Sequence, residues 1–173
     1  MDGSTVILGI EIPSTDPVFL RIIAIHILLG LACVIFGAVA MLNPKGRSRH
    51  SKAGLNYYWC LGALFVSATL LAVMRWAENY HLFVIGMLAF ISAWFGRSAL
   101  RKRWPYWTRM QIMGMGLSYT LMLVAFYVDN WRQLPLWKNL HHFTYWLLPL
   151  AVGVPLIIRA LTSHPLRRLG DPT

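Results

Sequence analysis

The sequence predicts an all-α fold: an integral membrane bundle of five transmembrane helices, with the N-terminus outside and the C-terminus inside. Three observations carry this. The 173 residues are 57% hydrophobic and only 13% charged, whereas a soluble domain is roughly half apolar and about a quarter charged. Five apolar runs of membrane-spanning length divide the chain. Finally, 16 Lys and Arg against 6 Asp and Glu give a net charge of +10, and the cations collect on one side of those runs. The 8 Trp, 7 Tyr and 8 Phe exclude a disordered chain, and 2 Cys cannot supply a disulfide framework.

A bilayer core of about 30 Å takes about 20 apolar residues of helix. Residues 1–21 precede the first such run as a short extracytoplasmic or interfacial segment. They lack a basic leader, and Glu11, Pro13, Asp16 and Pro17 break the apolar stretch Val6 to Ile12, so no signal peptide is expected. The first span, 22–42, holds one titratable side chain, His26, and stops at Asn43-Pro44. The second, 55–74, has no charge and is closed by Arg75. The third, 82–100, follows His81 and carries Arg97 near its end. The fourth, 111–128, lies between Arg109 and Asp129. The fifth, 143–161, contains Pro149 and Pro155, and 163–173 form a tail. Lipid offers no hydrogen-bond partner to an open sheet edge, so each run is read as a helix.

Short loops retained in the cytoplasm are rich in Lys and Arg. Alternating the five spans puts Lys45, Arg47, Arg49 and Lys52 on one side with Arg97, Arg101, Lys102, Arg103 and Arg109, and with Arg159, Arg167 and Arg168 of the tail. Only Arg21, Arg75, Arg132 and Lys138 fall on the other side, which also holds every acid but Asp171. The cation-rich side is therefore read as cytoplasmic, facing anionic lipid headgroups. Arg101-Lys102-Arg103-Trp104-Pro105-Tyr106-Trp107 is read as such a loop with an interfacial aromatic belt, not as a nucleic-acid patch.

Small residues at helical spacing mark faces where membrane helices approach. The expected stripes are His26, Gly30, Cys33, Gly37 and Ala40; Asn56, Cys60, Ala63 and Ser67; Gly86, Ala89, Ala93 and Gly96; Gly114, Ser118, Leu121 and Ala125; and His142, Trp146, Pro149 and Gly153. With this topology His26, His81, Asp129 and His142 all lie toward the outer side. Ionisable groups inside spans are costly and usually face protein or water, which makes His26 the most informative residue. Three chemistries compete here. Imidazoles from different helices can ligate a b-type haem or a divalent metal, drawing on His26, His81, His142 and Asp129. His26 and Asp129 can handle protons or ions. The structural reading, which carries the most weight, has His26 hydrogen-bonded to a neighbouring helix and the others in the headgroup layer. His50, amid four cations, is the candidate on the inner side.

An ordered set of motifs adds to this reading. His26-x-x-x-Gly30, Lys45-Gly46, His50-x-x-x-Gly54, Gly114-Met115-Gly116-x-Ser118-Tyr119, Ala125-Phe126-Tyr127-Val128-Asp129-Asn130, Leu134-Pro135, Trp146-x-x-Pro149 and Gly153-x-Pro155-Leu156-Ile157 occur in that order. From about His26 to Arg159 the chain resembles the bacterial membrane proteins catalogued as domain-of-unknown-function family 2306. The resemblance implies a small polytopic protein of the bacterial cytoplasmic membrane and directs attention to His26, His50 and the 127–130 stretch. Gln111 stands where members of that family often have a histidine, which weakens a pairing with His50 on the inner side.

The expected function is that of a multi-pass inner-membrane protein serving as a binding, transport or accessory subunit, not an enzyme. Its expected partners are the bilayer and its anionic headgroups, with self-association or a larger membrane complex, and no nucleic acid. The alternative is a redox protein holding haem b or a divalent metal through the outer histidines.

Overall fold

The computed structural model describes residues 5–7, 10–12, 16–44, 48–130 and 141–163. Five helices carry the architecture: α1 (Pro17–Leu42), α2 (Ser48–Met74), α3 (Trp76–Lys102), α4 (Trp107–Asn130) and α5 (His142–Ser163). All five are long and apolar enough to cross a bilayer. Ahead of them lies a short antiparallel hairpin that the sequence reading does not anticipate, β1 (Thr5–Ile7) with β2 (Ile10–Ile12), paired Thr5↔Ile12, Val6↔Glu11 and Ile7↔Ile10.

The helices start earlier or run longer than the apolar runs that signal them, and polar residues cap both ends of α1. The Asp16 carboxylate accepts from the Val18 N–H at 2.8 Å, and Pro17 takes the first position, where a missing N–H costs nothing. At the other end of α1, the backbone N–H and the side-chain amide of Asn43 both donate to the Val39 carbonyl, at 3.1 and 2.7 Å. Between α2 and α3 only Arg75 interrupts the helix. Its N–H reaches the Leu71 and Ala72 carbonyls, its own carbonyl accepts from Glu78 and Asn79, and its guanidinium pairs with Glu78 at 3.0 Å. The chain nevertheless reverses there. Phe65 and Phe83 stack with centroids 5.8 Å apart, whereas in one straight helix their positions would be separated by about 27 Å.

The chain forms two compact units, Met1–Phe83 and Val84–Thr173. In the first, α1 packs on α2. Phe19 and Leu71 are buried together, with Leu20, Ile22 and Ile23 against them, and Cys33 is fully enclosed. The buried face of α2 is Ala53, Tyr57, Leu61, Leu64, Ser67 and Leu71, while Asn56 and Ala63 are exposed. This corrects the expected Asn56, Cys60, Ala63 and Ser67 stripe by about 60° around the axis. The physical reason is that large residues of α2 fill the gaps over small residues of α1. A Cβ on Gly30 would lie 3.9 Å from Leu64 Cδ1, an ordinary packing distance. Cys33 and Cys60 are free thiols.

In the second unit, backbones meet directly. A Cβ on Gly114 of α4 would fall 2.6 Å from the Ser92 carbonyl oxygen and 2.7 Å from Gly96 Cα on α3. On the α5 side, a Cβ on Gly116 would meet Ile157 Cγ1 at 2.6 Å, and one on Gly153 would meet Thr120 Cγ2 at 2.7 Å. Small residues thus set the spacing of α4 from both neighbours, as expected where dispersion, not water exclusion, brings helices together. Ser118 is fully buried, as are Ala89, Ala93 and Tyr145. Outward faces are apolar throughout: Leu28, Leu31, Leu42, Val73, Phe143 and Leu147 are all more than half exposed. Contiguous apolar surface on this scale is foreign to a monomer in water and suits hydrocarbon.

Candidate functional site

Hydroxyls inside these helices satisfy themselves on their own backbone. Thr69 donates to Phe65, Ser92 to Leu88 and Thr120 to Gly116. Ser67 does likewise, giving its proton to the Leu64 carbonyl at 2.8 Å, but its oxygen also lies 2.9 Å from His26 Nδ1. A hydroxyl has one proton to give. With that proton committed to Leu64, Ser67 accepts from His26, so the imidazole carries its hydrogen on Nδ1. The chain of donors runs from His26 to Ser67 to Leu64, linking α1 to α2.

This fixes the ring and its tautomer. In the neutral imidazole Nε2 then presents a lone pair. Among the described residues, no fully buried side-chain nitrogen or oxygen lacks a hydrogen-bond partner, and Ser67 is the one partner His26 has there. The half-buried ring is flanked by exposed Ile25 and Ile27. His26 stands about 14 Å along α1 from Pro17 and about 24 Å from Leu42, well inside the helix.

Other sequence-selected residues have different settings. His50 lies in the first turn of α2, and its Nδ1–H donates to the Ala40 carbonyl at 2.7 Å. It thereby occupies one of the carbonyls that the end of α1 leaves without a helical partner. His81 is half-buried, its ring edge-on to Tyr80 at 5.6 Å. Asp129 is exposed in the last turn of α4. His142 opens α5, and its side chain lies outside the described residues; neighbouring His141 stacks on Phe143 at 5.5 Å. No group of three His, Cys, Asp or Glu able to hold a metal ion occurs among the described residues. His26 and His81 belong to the first unit, Asp129 and His142 to the second.

Ser67 is the residue that sequence reasoning undervalued. It appears in the small-residue stripe of α2 but not as the partner of His26. The signal was present in the register of two antiparallel helices: His26 is nine residues after the start of α1, and Ser67 seven before the end of α2. Comparison of the chain with protein-family models, with curated proteins and with solved structures gave no match.

Proposed function

We propose that this chain is a multi-pass protein of the bacterial cytoplasmic membrane, N-terminus outside and C-terminus inside, working as a binding or transport subunit centred on His26. One observation carries the reading. His26 is held by Ser67 through Nδ1 inside an apolar helix pair, and its Nε2 has no hydrogen-bond partner among the described residues. An ionisable residue inside a membrane-spanning helix is a functional-site candidate by default, since it faces protein, water or a passing ion rather than lipid. Asp129, at the end of α4, is the second group assigned to proton or ion passage. The motif order from His26 to Arg159 supports placement beside family 2306, and the cation asymmetry of the loops supports the orientation and contact with anionic headgroups. The exposed apolar faces of α1 and α5 leave room for lipid, a second copy or another membrane chain.

The test is proton flux. In liposomes with an entrapped pH dye and an imposed gradient, the wild-type protein is expected to speed dissipation, and both His26→Ala and Asp129→Asn to lower the rate. Dissipation equal in wild type, variants and protein-free liposomes would count against the reading.

A second reading is favoured by the same imidazole. Metal-ligating histidines almost always donate their other N–H to a fixed acceptor, which orients the ring, and His26 is arranged in that way toward Ser67. Haem b or a divalent metal on Nε2, with His81 of the same unit as the candidate further ligand, is therefore the alternative. Purified in mild detergent, a haem protein shows a Soret band that His26→Ala removes; a colourless, metal-free and well-folded preparation would exclude this reading.

A further inference from the structure

The turn between α3 and α4 concentrates strained backbone and positive charge. Lys102 ends α3, Arg103 follows at φ 52°, and the Trp104 N–H returns to the Ala99 carbonyl at 3.3 Å. This is the Schellman helix stop, whose left-handed position is usually a glycine. Trp104 to Trp107 then form a second turn, closed by the Trp107 N–H on the Trp104 carbonyl at 3.0 Å, with Pro105 second and Tyr106 third at φ 58°. A type II turn likewise takes glycine or asparagine at its third residue. The two glycine-favouring positions hold an arginine and a tyrosine, residues whose Cβ disfavours a left-handed backbone.

Those side chains build a charged aromatic surface. The Arg103 guanidinium carbon lies 4.6 Å from the Trp107 ring centroid, that of Arg109 5.8 Å from the Tyr106 ring, and Lys102 Nζ 5.8 Å from the Trp104 ring. Trp104 is braced edge-on against Phe95 of α3 at 5.8 Å. Arg101, Lys102, Arg103, Tyr106 and Arg109 are all exposed. No acidic residue occurs between Glu78 and Asp129, and among the described residues Arg101, Lys102 and Arg103 have no carboxylate partner.

A guanidinium lying over a ring keeps its N–H edge directed outward, and that planar edge matches phosphate oxygens. Rings with a polar rim settle at headgroup depth. On the α3 and α4 sides of the turn, Trp94, Phe95 and Met113 are exposed, which suits acyl chains and offers nothing to a soluble anion. We infer that the α3–α4 turn, Arg101 to Arg109, is a binding site for the phosphate of an anionic phospholipid headgroup. The inference rests on α3 and α4 spanning the bilayer, which puts the turn at a membrane surface whichever side that is.

The experiment uses the full chain in phosphatidylcholine vesicles doped with either brominated phosphatidylglycerol or brominated phosphatidylcholine, read by tryptophan quenching. Excess quenching by the anionic lipid is expected, corresponding to enrichment on the order of five-fold for each engaged cation. Lys102→Gln with Arg103→Gly should abolish most of that excess without lowering the thermal unfolding temperature, since glycine suits the left-handed position. Arg49→Gln with Lys52→Gln removes equal charge from the first turns of α2 and should retain the excess. Equal loss in both double variants, or loss in neither, would overturn the site in favour of a diffuse field or no preference. Abolition by millimolar inorganic phosphate at constant ionic strength would overturn it in favour of a soluble anion. Failure of the protein to float with the vesicles would instead refute membrane insertion, and the site with it.

Discussion

The single proton of the Ser67 hydroxyl, given to Leu64, makes His26 the donor in the contact between α1 and α2. Ser67→Ala removes that acceptor but leaves the Leu64 carbonyl in its own helix, so the loss falls on the pair. Interhelical hydrogen bonds between membrane helices average about 0.6 kcal/mol and reach about 1.7. A double-mutant cycle of His26→Ala and Ser67→Ala, measured by unfolding in detergent, should return a coupling in that range; a coupling of zero would deny the bond a role in stability. At the glycines the sign depends on what stands opposite. Gly114→Ala forces a methyl into the Ser92 carbonyl and Gly96 Cα, both backbone, which cannot turn aside. A loss of about 1–3 kcal/mol is expected from such overpacking. Gly54, with nothing within 4 Å of its added Cβ, should gain about 0.5–1 kcal/mol from alanine, by helix propensity alone. Thermal unfolding of both variants checks the pair.

At the scale of elements, what was legible followed from hydrocarbon length. Each apolar run proved to lie within a helix, because every run is long enough for one and polar or charged residues stand at or near its ends. What escaped was decided by contacts the run does not encode. The ends of α3 and α4 extend through Trp76 to His81 and Trp107 to Met110, polar and aromatic stretches that read as loops when hydropathy is the guide. The face of α2 escaped because small residues on both helices suggested small against small, whereas Leu64 fills the space over Gly30. The left-handed turn at Arg103 and Tyr106 gave no cue either, since glycine and asparagine, the usual markers, are absent and only Pro105 hints at a reversal. At the candidate site His26 was legible from its isolation in an apolar run; its tautomer was not, because that depends on the Ser67 hydroxyl reaching across from α2.

For the whole molecule, the net charge of +10 acts through its distribution. Alternating spans place twelve of the 16 cations on one side and five of the six acids on the other, and cations beside short loops resist translocation. This predicts that a membrane-impermeant maleimide labels Ser14→Cys in intact cells but labels Ser163→Cys only after permeabilisation. Cys33 and Cys60 lie within α1 and α2 and are replaced by alanine in the background. Labelling of both introduced sites from outside would refute the five-span arrangement. The same assay asks where the signal resides. Neutralising Lys45, Arg47, Arg49 and Lys52 together leaves eight cations on the rich side against four on the other. If orientation is read from the whole chain, the pattern should survive that change, because the α3–α4 loop and the tail still outweigh the opposite side. Inversion of the labelling would instead assign the decision to the first loop, where the first span is fixed before the later cations are made.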